Sequence, residues 1–149
     1  MKKVLVTGAT GFIGNYVINE LLKHDIEIIA TSSNKEKAKQ QTWFENVKYI
    51  SFDLAQFDSL TNYFLFFHHP DILIHLACEG LPNYTSSFHT EINLSRHKLL
   101  IENLISNGLK NLTITGTCLE YGMQQGSLSE DLPAHPSNAY SIAKNELRK

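Results

Sequence analysis

The sequence predicts an α/β fold in which helices cover both faces of a doubly wound parallel sheet. Short apolar runs alternate with helical patterns along the whole chain, as in parallel sheets joined by crossover helices. Three glycines spaced three residues apart, Gly8, Gly11 and Gly14, follow the first apolar run directly. The chain has 149 residues, of which 42% are hydrophobic, and can bury one core, so we expect one compact domain.

The elements follow one another from the N-terminus in strand–helix order. Apolar runs bounded by turn residues predict five strands, at Lys3–Thr7, Glu27–Thr31, Val47–Ser51, Ile72–Leu76 and Leu112–Thr115. Periodic apolar residues predict helices between them, at Gly11–Lys23, Lys35–Gln41, Ser59–Phe67 and Ser87–Asn107. Right-handed crossovers give the strand order 3-2-1-4-5, with a ligand crevice where the first and fourth strands diverge.

The C-terminal part of the chain differs in composition. Asn107 and Gly108 form a capping signal that ends the fourth helix. From Glu120 to Asn138 the chain is rich in Gly, Ser and Pro, which predicts a long loop over the strand ends. Long loops inside compact domains usually carry function. A last helix is predicted to begin around Asn138.

Charge and composition limit the classes of partner. The formal net charge is −2 and no basic run occurs, which argues against nucleic acid or an anionic membrane and favours a small-molecule ligand. No apolar stretch approaches the roughly 18 residues needed to span a bilayer, so we expect a cytoplasmic protein. Cys78 and Cys118 lack Cys-x-x-Cys spacing and predict free, buried thiols, and no metal site is expected.

The glycine triplet predicts a phosphate-binding turn between a strand and a helix. Gly8 permits the sharp turn, Gly11 lets backbone N–H groups approach a phosphate, and Gly14 lets the helix lie close to the strand. A pyrophosphate there would face the positive end of the helix dipole. The alternative interpretation is that these glycines serve only the turn.

The segment after the second predicted strand bears on the choice of dinucleotide. Folds that prefer NAD place an acidic residue there to bind the ribose 2′-hydroxyl. In this segment the chain has Ser32, Ser33 and Lys35, and the first carboxylate of the segment is Glu36. Hydroxyls and an ammonium would accept a 2′-phosphate, which favours NADP over NAD, although Lys35 would serve equally as a solvated residue at a helix start.

Three polar residues near the C-terminus predict an acid–base site. Tyr140 and Lys144 lie four residues apart, on one face of the last helix. The ammonium is expected to lower the pKa of the phenol toward the working range. Thr117 follows the fifth strand, at the sheet edge where ligands bind in such folds. The alternatives are a solvated helix face and a hydroxyl that only ends a strand.

Taken together, these segments resemble the N-terminal part of the extended short-chain dehydrogenase/reductases. This family has a Rossmann-like cofactor domain and includes nucleotide-sugar epimerases, dehydratases and reductases. The shared motifs cover essentially the whole chain: Thr7-Gly8-Ala9-Thr10-Gly11-Phe12-Ile13-Gly14, Phe52-Asp53-Leu54, His75-Leu76-Ala77, Asn93, Thr115-Gly116-Thr117, Tyr121-Gly122 and Tyr140-x-x-x-Lys144.

The resemblance implies a hydride transfer between a nicotinamide and a sugar carbon. Tyr140 would move the accompanying proton, Lys144 would hold the cofactor ribose, and Thr117 would bind the substrate oxygen. Asp53 would contact the adenine ring, with a helix N-cap as its alternative role. Asn93 would stabilise the long helix. The expected cofactor contacts, from the motifs and the resemblance together, are Gly8, Thr10, Gly11, Phe12, Ile13, Gly14, Ser32, Ser33, Lys35, Asp53, Leu54, Leu76, Ala77, Thr115, Tyr140 and Lys144.

Two departures from the family pattern narrow these expectations. Members that dehydrate a sugar carry Asp-Glu after the threonine, whereas this chain has Cys118-Leu119, which favours a 4-keto reductase or an epimerase. Members also usually continue for about as many residues again. We therefore expect residues 1–149 to be the dinucleotide-binding domain without its C-terminal substrate domain, with an open fifth-strand edge that could pair with another copy. A nicotinamide-binding regulatory module or an inactive remnant is the alternative.

Overall fold

One five-stranded parallel sheet forms the centre of the fold, as the sequence predicted. The computed structural model describes all residues from Met1 to Lys149. The strands run in the order β3-β2-β1-β4-β5. In the register of the sheet, Val6 of β1 lies opposite Ala30 of β2 and Ile74 of β4. The strands are β1 Lys2–Thr7, β2 Ile26–Ser32, β3 Lys48–Ser51, β4 Ile72–His75 and β5 Asn111–Ile114.

Five α-helices accompany these strands, and one of them is much shorter than predicted. They are α1 Phe12–Leu21, α2 Lys35–Lys39, α3 Tyr63–Phe66, α4 Leu94–Ser106 and α5 Ala139–Arg148. The helix predicted over Ser59–Phe67 is wrong in its first half. Asp58 accepts hydrogen bonds from the Leu60 N–H and the Thr61 hydroxyl, which close a turn there, and Asn62 then caps α3.

The long fourth helix differs from its prediction at the start and agrees at the end. The chain forms a wider π-type turn over His89–Asn93 before the regular helix α4 begins. At the other end, Gly108 has a positive φ of 127°, and the Leu109 N–H donates to the Leu104 carbonyl at 3.0 Å. The capping signal of Asn107 and Gly108 is thus confirmed.

Strand alternation places apolar side chains on both faces of the sheet. On one face, Val4, Val6, Ile28 and Ala30 form a core with residues of α1 and α2 and with the fully buried Trp43. The alternate residues of β1, β2 and β4 point to the other face and are completely buried: Leu5, Ile29 and Leu73. The outer strand β5 is exposed along Asn111–Thr113, as expected for a sheet edge.

The chain divides into two compact units. The first unit contains Met1–Ala77 and Leu99–Ile114, and therefore the whole sheet. The second unit contains Cys78–Lys98 and Thr115–Lys149, and therefore helix α5. The longest helix, α4, has 13 residues, and none of the helices has the length and apolar character needed to cross a membrane.

Candidate functional site

The glycine loop of the first unit is a tight turn between β1 and α1. Gly8 has a positive φ of 69°, and its carbonyl accepts the Gly11 N–H at 3.0 Å. A Cβ at Gly8 would lie 2.7 Å from the backbone nitrogen of Ala77, and one at Gly14 would overlap the Gly8 and Ala9 carbonyl oxygens. A Cβ at Gly11 would meet only the Gly8 oxygen, at 3.1 Å. Packing thus explains Gly8 and Gly14, whereas Gly11 leaves space on the open side of the loop.

The N-terminus of α1 is open to an anion. Gly11 is its N-cap and supplies no side-chain hydrogen bond, and its first turn contains no acidic residue. Phe12 and Ile13 are 81% and 54% exposed, and Thr10 is half-buried. Backbone N–H groups at the start of a helix without a side-chain cap are donors for a phosphate, and the helix dipole favours a negative charge there.

A threonine that the sequence did not single out ties the glycine loop to the next strand. The buried Thr7 hydroxyl lies 2.8 Å from Nδ1 of His75. It also accepts hydrogen bonds from the Leu76 and Ala77 N–H groups, at 3.2 and 3.3 Å. These contacts fix the two residues predicted to line the cofactor channel. In the sequence, the one signal was a hydroxyl at the end of an apolar strand.

A polar cavity of about 460 Å³ in the first unit opens beside the ends of β2 and β3. Ser33 and Asp53 both line it, although they are distant in sequence. The Asp53 carboxylate accepts the Ala55 N–H at 2.8 Å, so the predicted alternative of an N-cap is confirmed, for a short 3₁₀ turn over Leu54–Gln56. The cavity is also lined by Ser51, Phe52, Gln56, Asp58, Thr61, Tyr63 and Phe66.

Of the other predicted cofactor contacts in this region, two are buried and one is exposed. The Ser32 side chain is buried, and its hydroxyl lies 3.0 Å from the Tyr49 hydroxyl. Lys35 is exposed as the first residue of α2, which follows the N-cap Asn34. Leu54 is buried in the first unit. Ser33 is therefore the exposed hydroxyl of this segment that faces the cavity.

The second unit brings Thr117, Tyr140 and Lys144 together. Thr117 begins a 3₁₀ turn over Cys118–Tyr121, and its oxygen accepts the Leu119 N–H at 3.3 Å. The Thr117 side chain lies close enough to the Tyr140 phenol to lower its pKa. Lys144 is 7% exposed and donates from Nζ to the Thr115 carbonyl at 2.9 Å. The geometry joins a phenol, a hydroxyl and an anchored ammonium.

Local capping places Tyr140 in the first turn of α5. Asn138 accepts the Ser141 N–H at 2.9 Å, and the Ser141 hydroxyl donates back to the Asn138 carbonyl, so the start of the helix is fixed. The Tyr140 N–H donates to the Tyr84 carbonyl at 3.0 Å. Rings of Tyr84 and His89 meet the Tyr140 ring edge-on, at centroid distances of 5.4 and 5.3 Å. The phenol is thus packed among aromatic side chains.

Burial controls the protonation of this cluster. Burial raises the pKa of Tyr140 above its usual value, with a further rise from Cys78, and the nearby Thr117 side chain acts in the opposite direction. The prediction that the pKa of Tyr140 is lowered is wrong for this structure, because loss of hydration of the phenolate is the larger effect. Burial also lowers the pKa of Lys144, whereas Cys78 and Glu120 raise it.

A small cavity beside Tyr140 and Lys144 is lined by polar residues that the sequence prediction did not place in the site. Cys78, His89, Asn93 and His97 line it. Burial, assisted by the charges of Lys144 and Arg96, lowers the pKa of His97 to about 4. Spacings of four residues between His89, Asn93 and His97 could have revealed their common helical face. The Asn93 side chain donates to the Glu79 carbonyl at 3.3 Å.

Cys118 and Glu120 follow Thr117 and have opposite environments. Cys118 is exposed, so the prediction of a buried thiol is wrong at this position, because the 3₁₀ turn directs it to solvent. Glu120 is 5% exposed and accepts the Thr117 N–H at 2.8 Å. Arg148 of α5 pairs with the same carboxylate at 3.2 Å. The sequence prediction did not include Glu120 or Arg148 in the site.

The fold and both sites define a class of protein that the comparisons with known proteins identify. Residues 4–149 match the NAD dependent epimerase/dehydratase family. The chain therefore belongs to this family, in agreement with the resemblance found in its motifs.

Curated relatives carry several nucleotide-sugar activities. A dTDP-6-deoxy-L-talose 4-dehydrogenase (NAD(+)) from Aggregatibacter actinomycetemcomitans is 29% identical over 98% of this chain and 53% of its own length. A UDP-glucose 4-epimerase from Halalkalibacterium halodurans is 25% identical over 98% of this chain and 44% of its own length. The chain thus spans about half the length of these relatives.

Solved structures have the same fold. A mutant UDP-glucuronic acid 4-epimerase from Bacillus cereus, in complex with NAD and a fluorinated UDP-sugar, matches with a TM-score of 0.77 and 25% identity. The match covers 98% of this chain and 50% of the Bacillus cereus protein. A UDP-Glc/GlcNAc 4-epimerase from Campylobacter jejuni, with a TM-score of 0.80 and 23% identity, shows the shared fold.

Proposed function

We propose that this chain forms the dinucleotide-binding domain of an NAD(P)-dependent enzyme that reduces or epimerises a nucleotide-sugar. The observation that carries the proposal is the cluster in which the buried Tyr140 phenol interacts with Thr117 and the buried Lys144 is anchored on the Thr115 carbonyl. A plain helix face would leave Tyr140 and Lys144 solvated, whereas both are buried here. Further support comes from the family match and from NAD and UDP-sugars in the complexes of its relatives.

The residues of the glycine loop fit the pyrophosphate of a dinucleotide. A cradle formed by Gly8, Gly11 and Gly14 has no Cβ on its open side, and the first turn of α1 offers uncapped N–H donors without a nearby carboxylate. A bound nicotinamide dinucleotide supplies the hydride that this chain's side chains lack. Phe12 and Ile13 are exposed at this loop and available for contact with it.

Tyr140 is assigned the proton transfer. A phenol is protonated near neutral pH and the raised pKa of Tyr140 preserves this state, so Tyr140 is suited to donate a proton to the oxygen of a keto sugar as that oxygen gains negative charge. The Thr117 hydroxyl holds the same oxygen in place. Lys144 is assigned to the cofactor ribose, with the Thr115 carbonyl fixing one of its three donors.

A cavity of about 620 Å³ in the second unit supports a sugar-sized ligand beside Thr117. It is lined by Thr117, Glu120, Tyr121, Glu130 and Arg148, and its volume falls in the range of small-molecule sites. Cys118 and Leu119 supply no carboxylate next to Thr117, so removal of water from the sugar is not part of the proposal. Reduction at a 4-keto group or 4-epimerisation is the reaction proposed.

The preference for NADP is proposed from Ser33 and from the absence of a carboxylate between the end of β2 and Glu36. Two observations weigh against it. The Asp53 carboxylate lines the same cavity as Ser33 and would repel a 2′-phosphate. The relative from Aggregatibacter actinomycetemcomitans is named as an NAD(+) enzyme, and the similar Bacillus cereus structure holds NAD. Side-by-side titration of the chain with NAD(H) and NADP(H) therefore decides the cofactor.

The decisive experiment combines that titration with Tyr140→Phe. Binding of either dinucleotide by the purified chain supports the cofactor domain. We expect Tyr140→Phe to leave the affinity for the dinucleotide within a few-fold. We also expect it to reduce turnover of a nucleotide-sugar by about 100-fold or more, measured in this chain or in an extended protein, whichever is active. The assay uses dTDP-6-deoxy-L-talose and UDP-glucose, the sugars named in two relatives, with Tyr84→Phe as the matched control.

Each negative result points to a different alternative. A folded chain that binds neither dinucleotide would contradict the proposal and favour an inactive remnant. Dinucleotide binding without turnover, in a protein extended to the length of the relatives, would favour a regulatory module. Full turnover by Tyr140→Phe would remove Tyr140 from the mechanism. Pairing with another copy through the open β5 edge stays a sequence prediction, which light scattering of the chain tests.

A further inference from the structure

A buried carboxylate outside the three proposed site residues lies against the backbone of one of them. Glu120 is three residues beyond Thr117, in the 3₁₀ turn that Thr117 begins. One carboxylate oxygen accepts the Thr117 N–H at 2.8 Å, and the other accepts Nε–H of Arg148 at 3.2 Å. Both oxygens of Glu120 are therefore used, one on each side, and its side chain is 7% exposed.

Arg148 is held in place from a second direction. Its Nη2 donates to the Asn145 side-chain oxygen at 3.0 Å, one turn earlier on α5. Tyr140 and Lys144 are on the same helix. The ion pair thus joins the turn that carries Thr117 to the helix that carries the phenol and the ammonium. Most of the Arg148 side chain is exposed, at 63%, so solvation of the guanidinium is largely kept.

The backbone beside Thr117 leaves room for this carboxylate. A Cβ at Gly116 would lie 2.9 Å from the bound oxygen of Glu120, closer than real contacts allow. The residue before Thr117 is therefore small where the carboxylate approaches the chain. The Glu120 carbonyl also accepts the His135 N–H at 2.9 Å, which fixes the turn against the following loop.

We propose that Glu120, anchored by Arg148, is a positioning residue that holds the Thr117 hydroxyl at the Tyr140 phenol. Glu120 acts on the backbone N–H of Thr117 and leaves its hydroxyl free to donate. The ion pair of Glu120 and Arg148 sets the distance between two groups. These are the Thr117 hydroxyl, which binds the substrate oxygen, and the Tyr140 phenol, which protonates that oxygen. This role rests on the proposed function only in assigning the substrate oxygen to Thr117.

The sign of a pKa change separates positioning from simple charge. Burial and Cys78 raise the pKa of Tyr140 most, whereas the influence of Thr117 lowers it and is larger than the opposing effect of either Tyr84 or Glu120. If Glu120 contributed only its charge, Glu120→Leu would lower the pKa of Tyr140. If Glu120 positions Thr117, the same variant loses the larger, opposing effect, and the pKa of Tyr140 rises.

The test is an NMR titration of the full chain without any cofactor. Tyrosine labelled at Cζ reports the ionisation of each phenol, and Tyr140→Phe assigns the resonance. At the parent midpoint, we expect Glu120→Leu to reduce the ionised fraction of Tyr140. Thr117 amide exchange should accelerate by about tenfold, because its acceptor is gone. Thr117→Val supplies the reference for complete loss of the hydroxyl contact.

Arg148→Met keeps the Glu120 carboxylate and removes the guanidinium that pairs with it, so this variant tests the ion pair even if Glu120→Leu does not fold. A smaller change of the same sign is expected, with recovery in Arg148→Lys. Glu146→Gln, at an exposed ion pair of the same helix, is the matched control and should change neither reading. An unchanged Thr117 amide, or a rise in the ionised fraction of Tyr140, would overturn the positioning role. Dinucleotide titration of the same variants reports separately on the proposed function.

Discussion

The glycine loop of the first unit and the cluster of Thr117, Tyr140 and Lys144 in the second unit are built by different means. In the loop, the useful groups are backbone N–H donors, and they are set by where a Cβ cannot fit. In the cluster, the useful groups are side chains, and they are set by hydrogen bonds and burial that involve Tyr84, Glu120 and other distant residues. Substitutions in the loop should therefore act through backbone strain. Substitutions in the cluster should act through changed protonation and lost side-chain contacts.

The largest expected effect is loss of the fold in Gly14→Ala. The new methyl group would overlap the carbonyl oxygens of Gly8 and Ala9, which are backbone atoms that no rotamer change can move. We expect unfolding to become easier by about 3–5 kcal/mol, measured by urea denaturation. Gly11→Ala is the matched control in the same loop and should change stability by less than about 1 kcal/mol. Equal losses for the two variants would show that backbone packing does not distinguish them.

The second effect concerns protonation of the second unit. Because the folded pKa of His97 is about 4 against an ordinary 6.5, the unfolded chain binds more protons between these values. The contribution of neutral His97 to the free energy of unfolding should therefore be fully present near neutral pH. The free energy of unfolding should then fall by about 3 kcal/mol as the pH drops from 6.5 to 4. His97→Gln should flatten this part of the pH profile, measured by denaturation at each pH. A parallel profile in the variant would mean that other groups cause the loss.

The same contrast explains what sequence could predict. The strands and the glycine loop depend on short-range patterns, and right-handed crossovers give the order of the strands, so the sheet could be predicted from the residues alone. The first half of the third helix failed because the Asp58 side chain closes a local turn, which competes with helix formation. The pKa of Tyr140 was predicted in the wrong direction, because spacing reveals Lys144 but not the burial of the phenol beside Tyr84 and His89.

The third expected effect separates the binding role of the loop from its packing role. Gly11→Val places a branched side chain on the open side of the loop, with only the Gly8 oxygen as a close protein neighbour. Dinucleotide affinity should fall by about 100-fold, while the fold is kept. Calorimetric titration of a sample with an unchanged circular dichroism spectrum checks this. Undiminished binding by the folded variant would remove the loop as the phosphate site.

The smallest expected effect is a change of cofactor preference through Ser33. Ser33 is exposed and lines the cavity that also contains Asp53, so a carboxylate at position 33 would add a second negative charge beside any 2′-phosphate. Ser33→Asp should shift the ratio of NAD to NADP affinity by about tenfold toward NAD. Ser33→Asn, which is similar in shape and neutral, should change the ratio little. If both variants have the same ratio as the parent chain, this cavity does not bind the ribose, and the cofactor is selected by residues outside the β2–α2 segment.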